Sequence, residues 1–342
     1  MRRSIRIILA LGAGAALLAL ALHGIDVSEI TENIGRADWR YLALGGLLYV
    51  VAYLVRSVRW RLILMPVTRV SVRDSFFMLM AGYFLNYVIP IRAGEIAKSF
   101  FLKRLKGIPI ATSLPTVYVD KVFELVSIIF VVVAVPVLSI RVEGPLAVLI
   151  YSVLAIFLAA VGILILAFRR GEAATKLLCG LFSWLPSGPR ARLTQWISLF
   201  VDGMGIAREN VRTVVPLIGL TVAAVLIDAS YFLMMFRAFA IDVPYVSVLF
   251  GYTLLTLSYI LPTPPAQIGY NEFVIRLIFA GGIGVASIPK AEVMAVIIVA
   301  HALTGLIITG VGVGSFAAMG IKVSESFRAT GPASDACETV GE

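Results

Sequence analysis

A small set of charged residues sits where the surrounding sequence is apolar, and these could do chemistry. Arg92 and Glu95 are three apart, so on a helix they share a face. They form either a mutually neutralising pair or a cradle in which Arg92 and the backbone N–H groups near Ala93 and Gly94 hold a phosphate. Asp120, Lys121 and Glu124 form a second group, with Asp120 and Glu124 one helical turn apart. In hydrocarbon they need partners, and Arg92 or Lys98 are the candidates. Glu272 and Arg276 are spaced as an i,i+4 pair. Asp228 lies mid-run, either functional or neutral and bonded to Ser230 or Tyr231. His301 reads as a proton-relay group or a hydrogen-bonded packing histidine. Arg56 and Arg59, three apart beside Trp60, read as interfacial anchors or as a face attracting anionic headgroups.

The elements that must position these residues follow from composition. The 342 residues are 60% hydrophobic and 14% charged, against about 25% charged in soluble domains. The expectation is an all-α, polytopic integral membrane protein. The net charge of +9 fits basic loops on the cytoplasmic side better than nucleic acid, and no nucleic-acid partner is expected. Two cysteines without metal-ligand spacing and two histidines point to no metal site, and no cofactor is expected. No P-loop and no nucleophile elbow is present, so no catalytic residue is assigned.

Along the chain, Met1 to Leu22 is either a cleaved leader or a first spanning helix, and the helix is the preferred reading. His23 to Arg40 reads as an acid-rich loop. Spans are expected over 41–55 and beyond, 111–138, 145–168, 213–236 and 291–313. Residues 75–89, stopped by Pro90, and the restart over 92–105 are too short for two spans and read as a re-entrant hairpin. Residues 245–261, stopped by Pro262, Pro264 and Pro265, and the restart over 268–279 form a second. An amphipathic run near 193–206 is expected to lie on the membrane surface. This layout places 21 of the 29 basic residues inside and six outside, with Arg92 and Lys121 within the membrane. It predicts about six spanning helices plus two re-entrant helical hairpins, with both termini cytoplasmic. Residues 1–318 form one transmembrane domain, and 319–342 form a polar tail. The halves, about 41–138 and 213–318, read as an inverted repeat joined by 139–212. In transporters, such broken helices meet at a shared midplane site.

The pieces RSVRW (Arg56 to Trp60), NYVIPIRAGE (Asn86 to Glu95), VDKVFE (Val119 to Glu124), LPTPPAQIGYNE (Leu261 to Glu272) and His301 resemble the flippase-like transmembrane family typified by the membrane region of lysylphosphatidylglycerol synthases. The resemblance runs roughly from Tyr41 to Ser315. Gly269 and Glu272 fit its second motif, while Ala266 stands where glycine is usual. Asp120, Lys121 and Glu124 stand where Glu, Arg and Asp are commoner. The resemblance implies a multi-pass cell-membrane protein that moves, or helps move, a lipid between leaflets. Relatives are linked to aminoacylated phosphatidylglycerol, lipid-linked sugars and hopanoid-related lipids. It implies a substrate site at Arg92, Gly94, Glu95, Asp120, Lys121, Glu124, Gly269, Glu272, His301, Arg56 and Arg59. There Arg92 and the helix restarts would receive a phosphate, and the acids and His301 would gate, pair or relay protons. The aminoacyl-transferase domain of the synthases is not expected in a polar tail of this length, so the chain is not expected to be an enzyme. A membrane-embedded lipid-modifying enzyme is the alternative. Another is a non-catalytic partner of a lipid or glycosyl transferase.

Overall fold

The structure, a computed structural model, describes residues 2–89, 93–137, 214–259, 263–280 and 288–325, with scattered positions between 148 and 194. The described residues are helical. Helices α1 (Arg2–Leu22), α2 (Val27–Gly35), α3 (Trp39–Leu64), α4 (Val72–Val88), α5 (Ala93–Lys106), α6 (Ile110–Leu125) and α7 (Ile128–Val137) form the first part. Helices α8 (Val214–Ala238), α9 (Tyr245–Ser258), α10 (Tyr270–Phe279) and α11 (Lys290–Met319) form the second. Most of the expected span over 145–168 and of the surface run over 193–206 lies outside the described residues, as do residues 326–342 of the tail and Arg92.

Among the described residues, α3, α8 and α11 are each long and apolar enough to cross a membrane. Residues 11–22 with 27–35 would make a fourth crossing if that pair, bent by 84°, counts as one. The chain is therefore a helical, multi-pass membrane protein. Helix α3 runs along α8, and α11 packs on α4, α2 and α10. At the α3–α8 contact Gly45 presents no side chain, and Met235 and Tyr231 fill the space. Small residues allow this close approach where lipid offers no hydrophobic drive.

Two short-armed hairpins sit against this frame. Arms α4 and α5 have 17 and 14 residues; arms α9 and α10 have 14 and 10. At ~1.5 Å per residue, none reaches the ~30 Å of a bilayer core. Each pair packs against itself. The first hairpin is tightest where Gly82 and Gly94 meet: a Cβ on Gly94 would run into the Gly82 carbonyl.

Two segments differ from the sequence reading. The expected loop over 23–40 contains α2. Asp26 caps it by accepting from the Ser28 N–H at 2.8 Å, as acidic N-caps do. Ile30, buried, then faces the core. The pattern is too short and too acidic to register as an apolar helix. The single span expected over 111–138 is two helices. Between them, the Val126, Ser127, Ile129 and Phe130 N–H groups bond three residues back, and Ser127 Oγ returns to the Glu124 carbonyl at 2.8 Å. The ladder tightens there to 3₁₀ geometry.

Candidate functional site: a tyrosine-walled cavity between two hairpins

The charged residues of α3, α5, α6 and α8 converge. Arg59, only 2% exposed, lies 2.8 Å from Asp120 on α6. Its Nε donates to Asp120 at 2.9 Å, and Nη1 to Thr221 on α8 at 3.1 Å. Arg56, one turn earlier, pairs with Asp228 on α8 through both guanidinium nitrogens. Lys98, fully buried, lies 2.9 Å from Glu95 and 3.8 Å from Asp120. Lys121 bridges Glu95 at 2.8 Å and Glu124 at 2.7 Å. Four cations thus meet four carboxylates. In low dielectric each needs its partners, because an unpaired buried charge costs several kcal/mol.

The break between α4 and α5 is closed by the same network. Asn86 Oδ1 accepts the Gly94 N–H at 2.8 Å, and its Nδ2 donates to Glu95 at 3.0 Å. Tyr83 donates to Glu124 at 3.1 Å.

The second hairpin is closed differently. Glu272 Oε2 accepts the Gly269 N–H at 2.7 Å. His301 of α11 sits between Glu272 Oε1, 2.6 Å from Nδ1, and the Ala266 carbonyl oxygen, 2.7 Å from Nε2. Tyr259 donates to Asn271 at 2.8 Å. Ala266 and Gln267 have φ of 51° and 59°, the left-handed region that suits glycine. An alanine at this φ keeps the turn but strains it. Gly269, φ 79°, rests on α1, where a Cβ would strike the Gly14 carbonyl. Arg276 reaches the end of α1, donating to the carbonyls of Leu20 at 2.6 Å, Ala21 at 2.5 Å and His23 at 3.0 Å.

A cavity of about 470 Å³ joins the two regions. Arg56, Arg59, Glu95, Lys121, Glu124 and Asp228 line one part, and Thr263, Gln267, Asn271 and His301 another. Tyr49, Tyr53, Tyr83, Tyr87, Tyr118, Tyr231, Tyr252 and Tyr259 form its walls. The rings of Tyr49 and Tyr53 lie 4.9 Å apart, and those of Tyr53 and Tyr83 4.8 Å apart. Such walls offer apolar faces and hydroxyl edges together. Among the described residues, no group of acids, histidines and cysteines could hold a metal.

Several expectations change in this geometry. Arg59 and Trp60 are buried, not interfacial anchors. Glu272 and Arg276 do not pair with each other; each bonds to another element. Asp228 pairs with Arg56, while Ser230 and Tyr231 bond to the backbone at Leu226 and Ala300. The Gly94 N–H, expected to face a phosphate, is taken by Asn86. Lys98 does serve the acids of α6, but Arg59 is their nearer partner. Thus Arg56, Arg59, Glu95, Asp120, Lys121 and Glu124 come together, with Glu272 and His301 across the cavity. Gly94 and Gly269 permit close backbone contact. Asn86 and, apart from Tyr231 as a partner for Asp228, the tyrosines are not among the residues the sequence singles out. Tyr49 with Tyr53, and Tyr83 with Tyr87, repeat at i,i+4, the one signal that could have placed them on a shared face.

The family model described as the lysylphosphatidylglycerol synthase TM region matches residues 7–312. The chain belongs to this family. A UPF0104 membrane protein of Methanothermobacter thermautotrophicus is 23% identical over 306 residues, 84% of this chain and 87% of the relative. A glycosyltransferase, AglD, of Haloferax volcanii is 31% identical over 129 residues, 36% of this chain. That match spans only 20% of AglD. A UPF0104 membrane protein of Methanocaldococcus jannaschii is 24% identical over 117 residues, 33% of this chain and 34% of the relative. No solved structure matches the chain.

Proposed function

We propose that this chain moves a lipid between membrane leaflets, taking the headgroup of an anionic phospholipid or lipid-linked species into the tyrosine-walled cavity. The observation that carries this is one cavity of about 470 Å³, tyrosine-walled and charge-lined, to which the membrane-capable helices α3, α8 and α11 contribute. Charge in that setting is costly and usually functional. An entering phosphate would share cations that already have partners. Lys121 and Arg56, with side chains 29% and 15% exposed, can be reached without uncovering Arg59 or Lys98. Arg92, which directly precedes α5 in the sequence, is a further candidate cation.

In this proposal the two hairpins are re-entrant and form an inverted repeat, in a layout of about six spans with both termini on the cytoplasmic side of the cell membrane. The chain needs no catalytic step. The partial match to a glycosyltransferase favours a second reading, in which the chain serves a lipid or glycosyl transferase by presenting its lipid-linked substrate.

The test is leaflet exchange of labelled phospholipids and lipid-linked sugars in proteoliposomes. Faster exchange of at least one headgroup class, lost when Ala224 in the cavity wall is replaced by Trp, is expected. Unchanged exchange for every headgroup overturns the proposal.

A further inference from the structure

His301 has acceptors at both ring nitrogens: the Glu272 carboxylate at 2.6 Å and the Ala266 carbonyl at 2.7 Å. A neutral imidazole carries one N–H and can satisfy only one of them. The other nitrogen would then set a lone pair against an oxygen lone pair at contact distance. The Ala266 carbonyl cannot supply a proton. Glu272 Oε2 is occupied by the Gly269 N–H. So the arrangement closes only with one proton beyond neutral imidazole plus carboxylate, on the ring or shared with Glu272 Oε1. His301 is 9% exposed and Glu272 5%, so water cannot replace either bond cheaply.

Among the described residues, the groups around the pair leave it isolated. Tyr87 of α4 faces the ring edge-on, with centroids 6.3 Å apart. Tyr259 of α9 is engaged by Asn271, and Tyr231 of α8 by the Ala300 carbonyl. Arg56, Arg59 and Asp228 on α3 and α8 are consumed in their own pairs. Arg276 of α10 is turned to α1. Glu29, Glu32 and Arg36, on or just after α2, are exposed.

We infer that His301, Glu272 and the Ala266 carbonyl form a proton-binding latch that holds the turn of the second hairpin closed against α11. When the proton leaves to water, the ring keeps one N–H and one of its two contacts breaks. The Ala266–Gln267 turn, already left-handed at two non-glycine residues, is the side that yields. Because His301, Gln267 and Thr263 line the cavity, its opening would change the wall that a headgroup meets. The coupling to lipid movement rests on the proposed function; the latch itself does not.

The chain has two histidines, His23 and His301. The ¹⁵N-histidine spectrum of the full chain in nanodiscs thus contains two rings, assigned with His301→Gln. At pH 6 the ring of His301 is expected to show no bare nitrogen. A neutral ring with one bare nitrogen at every pH from 6 to 9 overturns the latch. Thiol labelling of Gln267→Cys, with Cys179 and Cys337 replaced by Ser, reads the turn. Divided by the rate of a small free thiol at the same pH, which removes the thiolate fraction, labelling is expected to rise at least threefold as the ring loses its proton. Glu272→Gln supplies an amide donor to Nδ1 and an acceptor to Gly269, and should keep that ratio low at every pH. A ratio that is pH-independent without that substitution also overturns it. Neither readout involves lipid exchange, so a failed latch and a failed transport assay are told apart.

Discussion

The two hairpins close their breaks with different chemistry. In the first, Asn86 near the end of α4 holds Gly94 and Glu95 at the start of α5, and Glu95 is held by Lys98 and Lys121. Those charges continue through Asp120 and Glu124 to Arg59 on α3. In the second, one histidine on α11 holds the turn and the start of α10 together. Permanent charges paired in low dielectric make a fixed half; a single imidazole that keeps both contacts only with an added proton makes a half that can change state. The same architectural device, a short helix broken and restarted, is thus built once as an anchor and once as a moving part.

The sharpest way to break this comparison is to remove one charge from the first hairpin's network. Asp120→Ala leaves Arg59 and Lys98 buried beside a missing carboxylate, and is expected to cost about 3–5 kcal/mol. It should appear as a fall in unfolding temperature in detergent. Glu272→Gln, which retains both hydrogen bonds of its hairpin, should lie within about 1 kcal/mol of the unaltered chain. Equal losses would erase the distinction.

Next in size is Gly94→Ala. The new Cβ meets the Gly82 carbonyl, and forcing the α4–α5 crossing apart should cost about 1–3 kcal/mol, read by the same melt. Arg276→Met follows. It removes charged hydrogen bonds to three α1 carbonyls and should destabilise the α1–α10 contact by about 1.5–3 kcal/mol for the strongest of them. A thiol placed at Gly14, against Pro264 and Ile268, should label faster in that background. The smallest effect is expected for Ala266→Gly, which relieves a left-handed alanine and should stabilise by up to about 1 kcal/mol. It would also sharpen the comparison, because a relaxed turn should need less help from His301.

The hairpins were legible in the sequence because proline and charge interrupt otherwise apolar runs. The restart expected over 92–105 is α5 at 93–106, and that over 268–279 is α10 at 270–279. Pairings were less legible. Spacing suggested Glu272 with Arg276, a local pair. The structure joins Arg56 to Asp228 across 172 residues, Arg59 to Asp120 across 61, and His301 to Glu272 across 29. Local periodicity names the face on which a charge lies, not the helix that meets it. The break at Val126 and Ser127 left no proline or glycine to mark it. α2 was hidden by the acids that cap and solvate it.

The central claim is that a lipid headgroup enters the cavity between the hairpins. A photo-reactive residue at Thr256, in the cavity wall, tests it directly, with Leu306 on α11, 73% exposed, as the lipid-facing control. Irradiation in native membranes followed by mass spectrometry of the protein is expected to yield lipid adducts at both positions. At Thr256 a single headgroup class should be enriched, and Ala224→Trp should abolish that adduct alone. Adducts at Leu306 with none at Thr256 would contradict the account.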